Sequence, residues 1–186
     1  MTGVEAATSV HASAVLVGDR AVLIRGPSGA GKSRLAFDLI LAGRAGQIAA
    51  SVLVGDDRLH LEQNDGQLLA RPARELAGLI EIRGLGIFNC DFTPQAIVGL
   101  VVDLSAADAE RLPPPEALKT LILGIEVPRI PAGIGVSSLP LVIAALTMTA
   151  ISSSSHPPAD CPKGIGNHIS PTLATEKTGA GSHPYR

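Results

Sequence analysis

Apolar positions fall mostly in short unbroken runs set off by glycine- and aspartate-bearing turns. Runs at 13–17 and 21–25 flank Gly18-Asp19-Arg20, and a Gly-Asp turn between two such runs predicts a β-hairpin. The second run leads straight into GPSGAGKS at 26–33. There the period changes: Leu35, Ala36, Leu39 and Ile40 share one face of a helix over 33–42, with Gly43 as its stop. A buried strand is expected at 51–54, ending at Gly55-Asp56-Asp57. Runs at 59–62 and 68–71 around Asn64-Asp65-Gly66 predict a second hairpin. Further strands are expected at 79–82, 96–104 and 119–123, with Pro113-Pro114-Pro115 an exposed joint before the last and a final helix at 139–150. The pattern predicts an α/β domain on a mixed, hairpin-rich sheet with few helices, not alternating β and α units.

Past residue 151 the apolar pattern stops and Ser, Pro, Gly and Thr take over. This predicts a folded domain over 1–150 and a disordered tail over 151–186. His156, His168 and His183 fall in the tail at irregular spacing and read as solvated residues rather than metal ligands. Only 2% of the 186 residues are aromatic against 46% hydrophobic, so the core must be built from Val, Leu, Ile and Ala. A net charge of -2 supplies no basic field, and aromatic stacking platforms are lacking, so no nucleic-acid partner is expected. The apolar run at 139–151 is too short to span a bilayer, so no membrane partner is expected either. Cys90 and Cys161 form no metal-type pair, and MTGVEAATSV lacks the basic start and apolar run of a signal peptide. A reducing cytoplasm is the expected setting.

Candidate chemistry begins at Gly26-Pro27-Ser28-Gly29-Ala30-Gly31-Lys32-Ser33, which meets every fixed position of the Walker A phosphate loop, G-x-x-x-x-G-K-[ST]. Its glycines let backbone N–H groups turn onto phosphate oxygens, and the following helix adds its positive end. Lys32 is expected to reach the β and γ phosphates and the Ser33 hydroxyl to hold Mg²⁺, which makes ATP and Mg²⁺ the expected cofactors. Asp56-Asp57 is favoured over the single Asp103 of GLVVDL as the source of carboxylates. Two adjacent like charges need a compensating cation or proton, and near a nucleotide one can face the metal and the other an incoming hydroxyl. A turn cap, or a pair neutralised by Arg58, is the plainer alternative. In Glu81-Ile82-Arg83-Gly84-Leu85-Gly86-Ile87, Glu81 and Arg83 share a strand face by period two. They suit a metal and a transferring phosphoryl group, or equally a surface pair at a strand end. His11 is an acid–base candidate pending its geometry, whereas His60, on a hairpin strand, reads as structural or solvated.

Taken together, these segments resemble the catalytic domain of the HPr kinase/phosphorylase family. His11, GPSGAGKS, Asp56-Asp57-Arg58 and EIRGLGI occur in that family's order and approximate spacing, and Val127-Pro128-Arg129-Ile130 is similar to a late family segment. The resemblance covers roughly 9–130; Walker A is widely shared, and EIRGLGI is its specific part. It implies a phosphoenolpyruvate carboxykinase-like fold and ATP- or pyrophosphate-dependent phosphorylation of a serine on HPr, the small carrier of the sugar phosphotransferase system, with a reverse phosphorylase reaction in many members. Carried over, it implies that Lys32 and Ser33 hold phosphates and Mg²⁺ and that Asp56 is the general base toward the serine. It puts Asp57 and Glu81 on the metal side and has His11 and Arg83 assist near the transferring phosphate. It further implies an HPr-like partner, a homo-oligomer of unspecified size, and the short proteobacterial form without the N-terminal domain of long members. The chain departs from long members in having no Lys or Arg between Gly84 and Glu110, and in PAGIGVSSLP after Ile130. Two other function classes stay open, a small-molecule P-loop kinase and a non-catalytic ATP-sensing regulator. The scarcity of Arg and Lys after Arg83 weighs against a basic lid, and Asp56-Asp57 weighs against the regulator.

Overall fold

The apolar runs at 13–17, 21–25, 51–54 and 96–104 are unbroken because the central strands of the main sheet pack on both faces. The computed structural model describes residues 8–148. Its strands are β1 (Thr8–His11), β2 (Ser13–Val17), β3 (Arg20–Arg25), β4 (Ser51–Gly55), β5 (Arg58–Asn64), β6 (Gln67–Pro72), β7 (Leu79–Ile82), β8 (Gly86–Asn89), β9 (Ala96–Leu104), β10 (Lys119–Ile122) and β11 (Ile125–Ala132). Helices α1 (Lys32–Arg44) and α2 (Ser138–Thr147) complete it. Nine strands form one sheet in the order β1-β5-β6-β9-β3-β2-β4, with β11 also on β9 and β10 on β11. β9 runs parallel to β3 and β11, and the other pairings in this sheet are antiparallel. β7 and β8 form a separate two-stranded hairpin. The α/β class with a mixed sheet and few helices is therefore as expected.

Alternation along β3 shows how the two faces are filled. Val22 and Ile24 pack with Leu35, Ala36, Leu39 and Ile40 of α1, the face expected from the helical period. Ala21 and Leu23 pack on the opposite face with Leu59, Leu61 and Leu68. β9 changes phase midway: Ala96 and Val98 join the second cluster, Leu100, Val102 and Leu104 the first. The switch falls at Gly99, where the register on β3 steps from Ala21↔Val98 to Val22↔Leu100. This is a β-bulge, and a side chain there would meet Arg20 Cβ at 2.7 Å.

β1, β8 and β11 go beyond the strands expected from sequence. β1 is short, exposed and polar, so it carries no alternation to read. GIFN of β8 is wholly exposed and follows Gly84, so it reads as loop. β11 holds Pro128 and Pro131, which count against a strand. It tolerates them because 125–128 pairs only with β10 and 129–132 only with β9, leaving each half one open side for a residue without an N–H. The helix expected at 139–150 is α2, whose described part ends at Thr147. The tail expected at 151–186 lies outside the described residues. Among the described residues no helix is long and apolar enough to cross a membrane.

Candidate active site

The glycine-rich loop joins the buried end of β3 to α1. At Gly26, φ is +146°, and a Cβ would lie 2.9 Å from the Leu104 carbonyl oxygen, so only glycine fits. Gly31, the residue before α1, has φ +96°, and no side chain caps the helix, which leaves first-turn N–H groups without a side-chain acceptor. Lys32 is buried, and its Nζ donates to the carbonyls of Gly26 at 3.0 Å and Pro27 at 3.1 Å. A buried ammonium held by neutral carbonyls, beside uncapped helix N–H groups, fits a phosphate ligand.

Adjacent aspartates point in opposite directions. β4 ends at Gly55, where a side chain would meet Leu59 Cδ2 at 2.7 Å and Pro72 Cβ at 2.9 Å. The chain then reverses in three residues: Arg58 N donates to Asp56 O at 2.9 Å around Asp57, whose φ is +71°. An i→i+2 turn with a left-handed non-glycine centre is strained. Asp56 is turned inward and is 4% exposed. Its Oδ1 accepts from Ser13 Oγ at 2.5 Å and Ser33 Oγ at 2.9 Å, and its Oδ2 accepts from Glu81 N at 3.2 Å. Asp57 is turned outward, with its Oδ1 3.0 Å from His11 Nε2. The β1–β5 register places His11 opposite Arg58, which is what brings it to Asp57.

The Glu-Ile-Arg-Gly-Leu-Gly-Ile stretch is the β7–β8 hairpin. Ile80 anchors it in the helix-side core, and the Glu81 amide ties it to Asp56. Arg83 sits in the turn after β7 rather than on the strand. An ideal Cβ on Gly29 would lie 4.0 Å from Arg83 Nη2, so the guanidinium leans over the glycine-rich loop. Among the described residues no ion pair joins Glu81 to Arg83.

These elements enclose a cleft of about 750 Å³. His11, Ser28, Gly29, Gly31, Lys32, Ser33, Asp56, Asp57, Glu81 and Arg83 all line it, while Gly26, Pro27 and Ala30 do not. Phe37, Leu41, Leu76, Leu79, Ile82 and Ile87 give it an apolar part. His60 is held in β5 between Ser9 and Arg71. Asp103 is committed elsewhere: Arg25 grips it through Nε and Nη2, each at 2.7 Å, and Arg129 Nε adds a third bond at 2.5 Å. Arg129 also binds Asp108 at 2.6 Å. Sequence reasoning passed over Ser13, whose signal is a lone hydroxyl at the start of an apolar strand. It also passed over the Arg25–Asp103–Arg129 group, which only the pairing of β9 with β3 and β11 brings together.

Among the described residues no cluster of three or more His, Cys, Asp or Glu forms a metal cage. Mg²⁺ does not need one, since it commonly keeps waters and takes one or two carboxylates plus substrate phosphates. The Ser33–Asp56 pair at the foot of a phosphate-suited loop, with Glu81 on the cleft wall, fits such an ion.

A family model described as the HPr serine kinase C-terminal domain matches residues 3–156. The HPr kinase/phosphorylase of Geobacillus thermodenitrificans is 38% identical over 134 residues, covering 66% of this chain and 41% of that protein. The HPr kinase/phosphorylase of Mycoplasma mycoides subsp. mycoides is 31% identical over 158 residues, covering 77% and 48%. The chain thus spans less than half the length of these curated relatives. The solved structure of the Hpr(Ser) kinase/phosphatase from Coxiella burnetii matches with a TM-score of 0.59 at 32% identity, covering 75% of this chain and 93% of that one.

Proposed function

The chain belongs to the HPr serine kinase C-terminal domain family, and from that premise we propose that it is the catalytic domain of a protein-serine kinase that transfers the γ-phosphoryl group of ATP to a serine of an HPr-like phosphocarrier. The observation that carries this reading is the division between adjacent aspartates. Asp56 is locked against Ser33 at the loop, and Asp57 stands free at the cleft beside His11.

In this reading residues 26–33 act as a P-loop: backbone N–H groups and Lys32 hold the phosphates, and Arg83 offsets charge on the group in flight. Ser33, oriented by Asp56, and Glu81 would hold Mg²⁺, which when bound would supply positive charge to offset that of the phosphates. Asp57 accepts the proton of the serine hydroxyl, and His11 orients its carboxylate. In the reverse reaction with inorganic phosphate, Asp57 returns that proton, by microscopic reversibility. Asp56 and Asp57 thereby exchange the roles that the family resemblance implied. Their difference in burial is the reason, because Asp56 is enclosed and three donors already take all but about one of its four acceptor sites, whereas Asp57 is exposed at the cleft.

The phosphoenolpyruvate carboxykinase-like fold, the homo-oligomer and the cytoplasmic setting belong to the same proposal. Antiparallel β2 beside the strand that feeds the loop supports the first. Exposed Leu141 and Leu146 on α2 support the second.

The test is incubation of the chain with HPr, Mg²⁺ and γ-labelled ATP. Label on a serine of HPr, lost in Lys32→Ala, is expected; no label with the unaltered chain overturns the proposal.

A further inference from the structure

Among the described residues three polar or charged residues are buried: Ser13, Lys32 and Asp56. Lys32 and Asp56 line the cleft, and Ser13 bonds to Asp56. Lys32 and Asp56 belong to motifs legible in the sequence, but neither motif calls for Ser13. It sits in β2 between Ala12 and Ala14, each fully buried, opposite Ile24. A hydroxyl in such surroundings is costly unless it is bonded. Its partner is Asp56 Oδ1 at 2.5 Å, the same oxygen that accepts from Ser33.

We infer that Ser13 is a positioning residue, one that holds the Asp56 carboxylate against Ser33 and so sets how strongly the loop takes a Mg²⁺-nucleotide. The inference rests on the loop reading given above. Ser13 and the Glu81 amide fix Asp56 from two sides, one on each oxygen. With its rotation blocked, Asp56 keeps Oδ1 toward Ser33. The Ser33 proton is then committed to Asp56, and its lone pairs are left for a cation in the cleft. Without Ser13 the carboxylate loses the donor on the side away from the ligand, and Ser33 loses its fixed orientation. Partners that orient a metal ligand in this way commonly set affinity by about 10–100-fold.

The test uses the full chain and a fluorescent ATP analogue, titrated with and without Mg²⁺. The unaltered chain binds the analogue more tightly with Mg²⁺. Ser13→Ala loses about tenfold of that Mg²⁺-dependent gain, with Mg²⁺-free affinity held within about twofold. Ser13→Thr keeps the hydroxyl and keeps the gain. On an Asp56→Asn background, Ser13→Ala adds no further loss. Unchanged Mg²⁺ dependence in Ser13→Ala, equal weakening with and without Mg²⁺, failure of the threonine variant to retain the gain, or additive losses in the double variant each overturn the inference while leaving the loop reading intact. No Mg²⁺-dependent gain in the unaltered chain overturns the loop reading, and the inference with it.

Discussion

Asp57 Oδ1 lies 3.0 Å from His11 Nε2, across the meeting point of an exposed edge strand and a strained three-residue turn. Nothing in the core requires the contact, since both side chains are about half exposed or more. The fold holds Asp57 in a left-handed conformation that costs energy and gains an accessible carboxylate beside a histidine. Asn accepts that conformation as readily as Asp. Asp57→Asn should therefore melt no lower than the unaltered chain and bind Mg²⁺-nucleotide within about threefold of it, while losing transfer. Thermal melts and nucleotide titration check the first two.

Asp56 should behave in the opposite way. Asp56→Asn puts an amide where one oxygen now accepts from two hydroxyls, leaving a buried donor or acceptor unmatched in any orientation. The expected cost is about 2 kcal/mol of stability, with Mg²⁺-dependent nucleotide binding weakened by about tenfold or more. Denaturant unfolding and binding with and without Mg²⁺ read the two effects separately.

Two glycines should differ sharply on substitution. Gly26→Ala meets the Leu104 carbonyl at 2.9 Å in a conformation alanine resists, and should cost about 2–3 kcal/mol along with phosphate binding. Gly84 also has positive φ, at +90°, but nothing lies within 4 Å of its would-be side chain. Gly84→Ala should cost only about 1 kcal/mol. Equilibrium unfolding of both variants checks the contrast.

Asp103 predicts an acid limb in stability. Burial by itself would raise its carboxyl, but hydrogen bonds from Arg25 and Arg129, with their charges, outweigh that and hold it below the usual carboxylate range. With the folded value below the unfolded one, its stabilisation is complete above the unfolded value of about 3.9 and is lost as pH falls through the folded value. Asp103→Asn removes this part of the acid slope. It also lowers stability near neutral pH by about 2 kcal/mol, because Arg25 loses its carboxylate partner and Arg129 keeps only the half-exposed Asp108. Melting curves from about pH 3 to about pH 7 check the sign.

Much of the fold was legible wherever a strand is covered on both faces or a helix carries an apolar stripe. The β2–β3 hairpin, the stripe of α1 and all of β9 are examples. β1 and β8 were not, because exposed short strands owe their existence to neighbours rather than to their own pattern. At the candidate site, the motifs pointed to Ser28, Gly29, Gly31, Lys32, Ser33, Asp56, Asp57, Glu81 and Arg83, which line one cleft, while Gly26, Pro27 and Ala30 of the same loop do not. The spacing could not say which of two adjacent carboxylates turns inward. That choice is made by the three-residue turn at Asp57 and by Ser13, Ser33 and the Glu81 amide, from three separate parts of the chain. The β1–β5 register that delivers His11 to Asp57 is likewise a property of the folded sheet.

The most direct test is single-turnover transfer from pre-bound Mg²⁺-ATP to a serine of an HPr-like acceptor, comparing the unaltered chain with Asp57→Asn. The account predicts phosphoserine formation by the unaltered chain and a rate at least about 100-fold lower in Asp57→Asn with nucleotide still bound. Equal transfer rates in the two, or no phosphoserine from the unaltered chain, would contradict it.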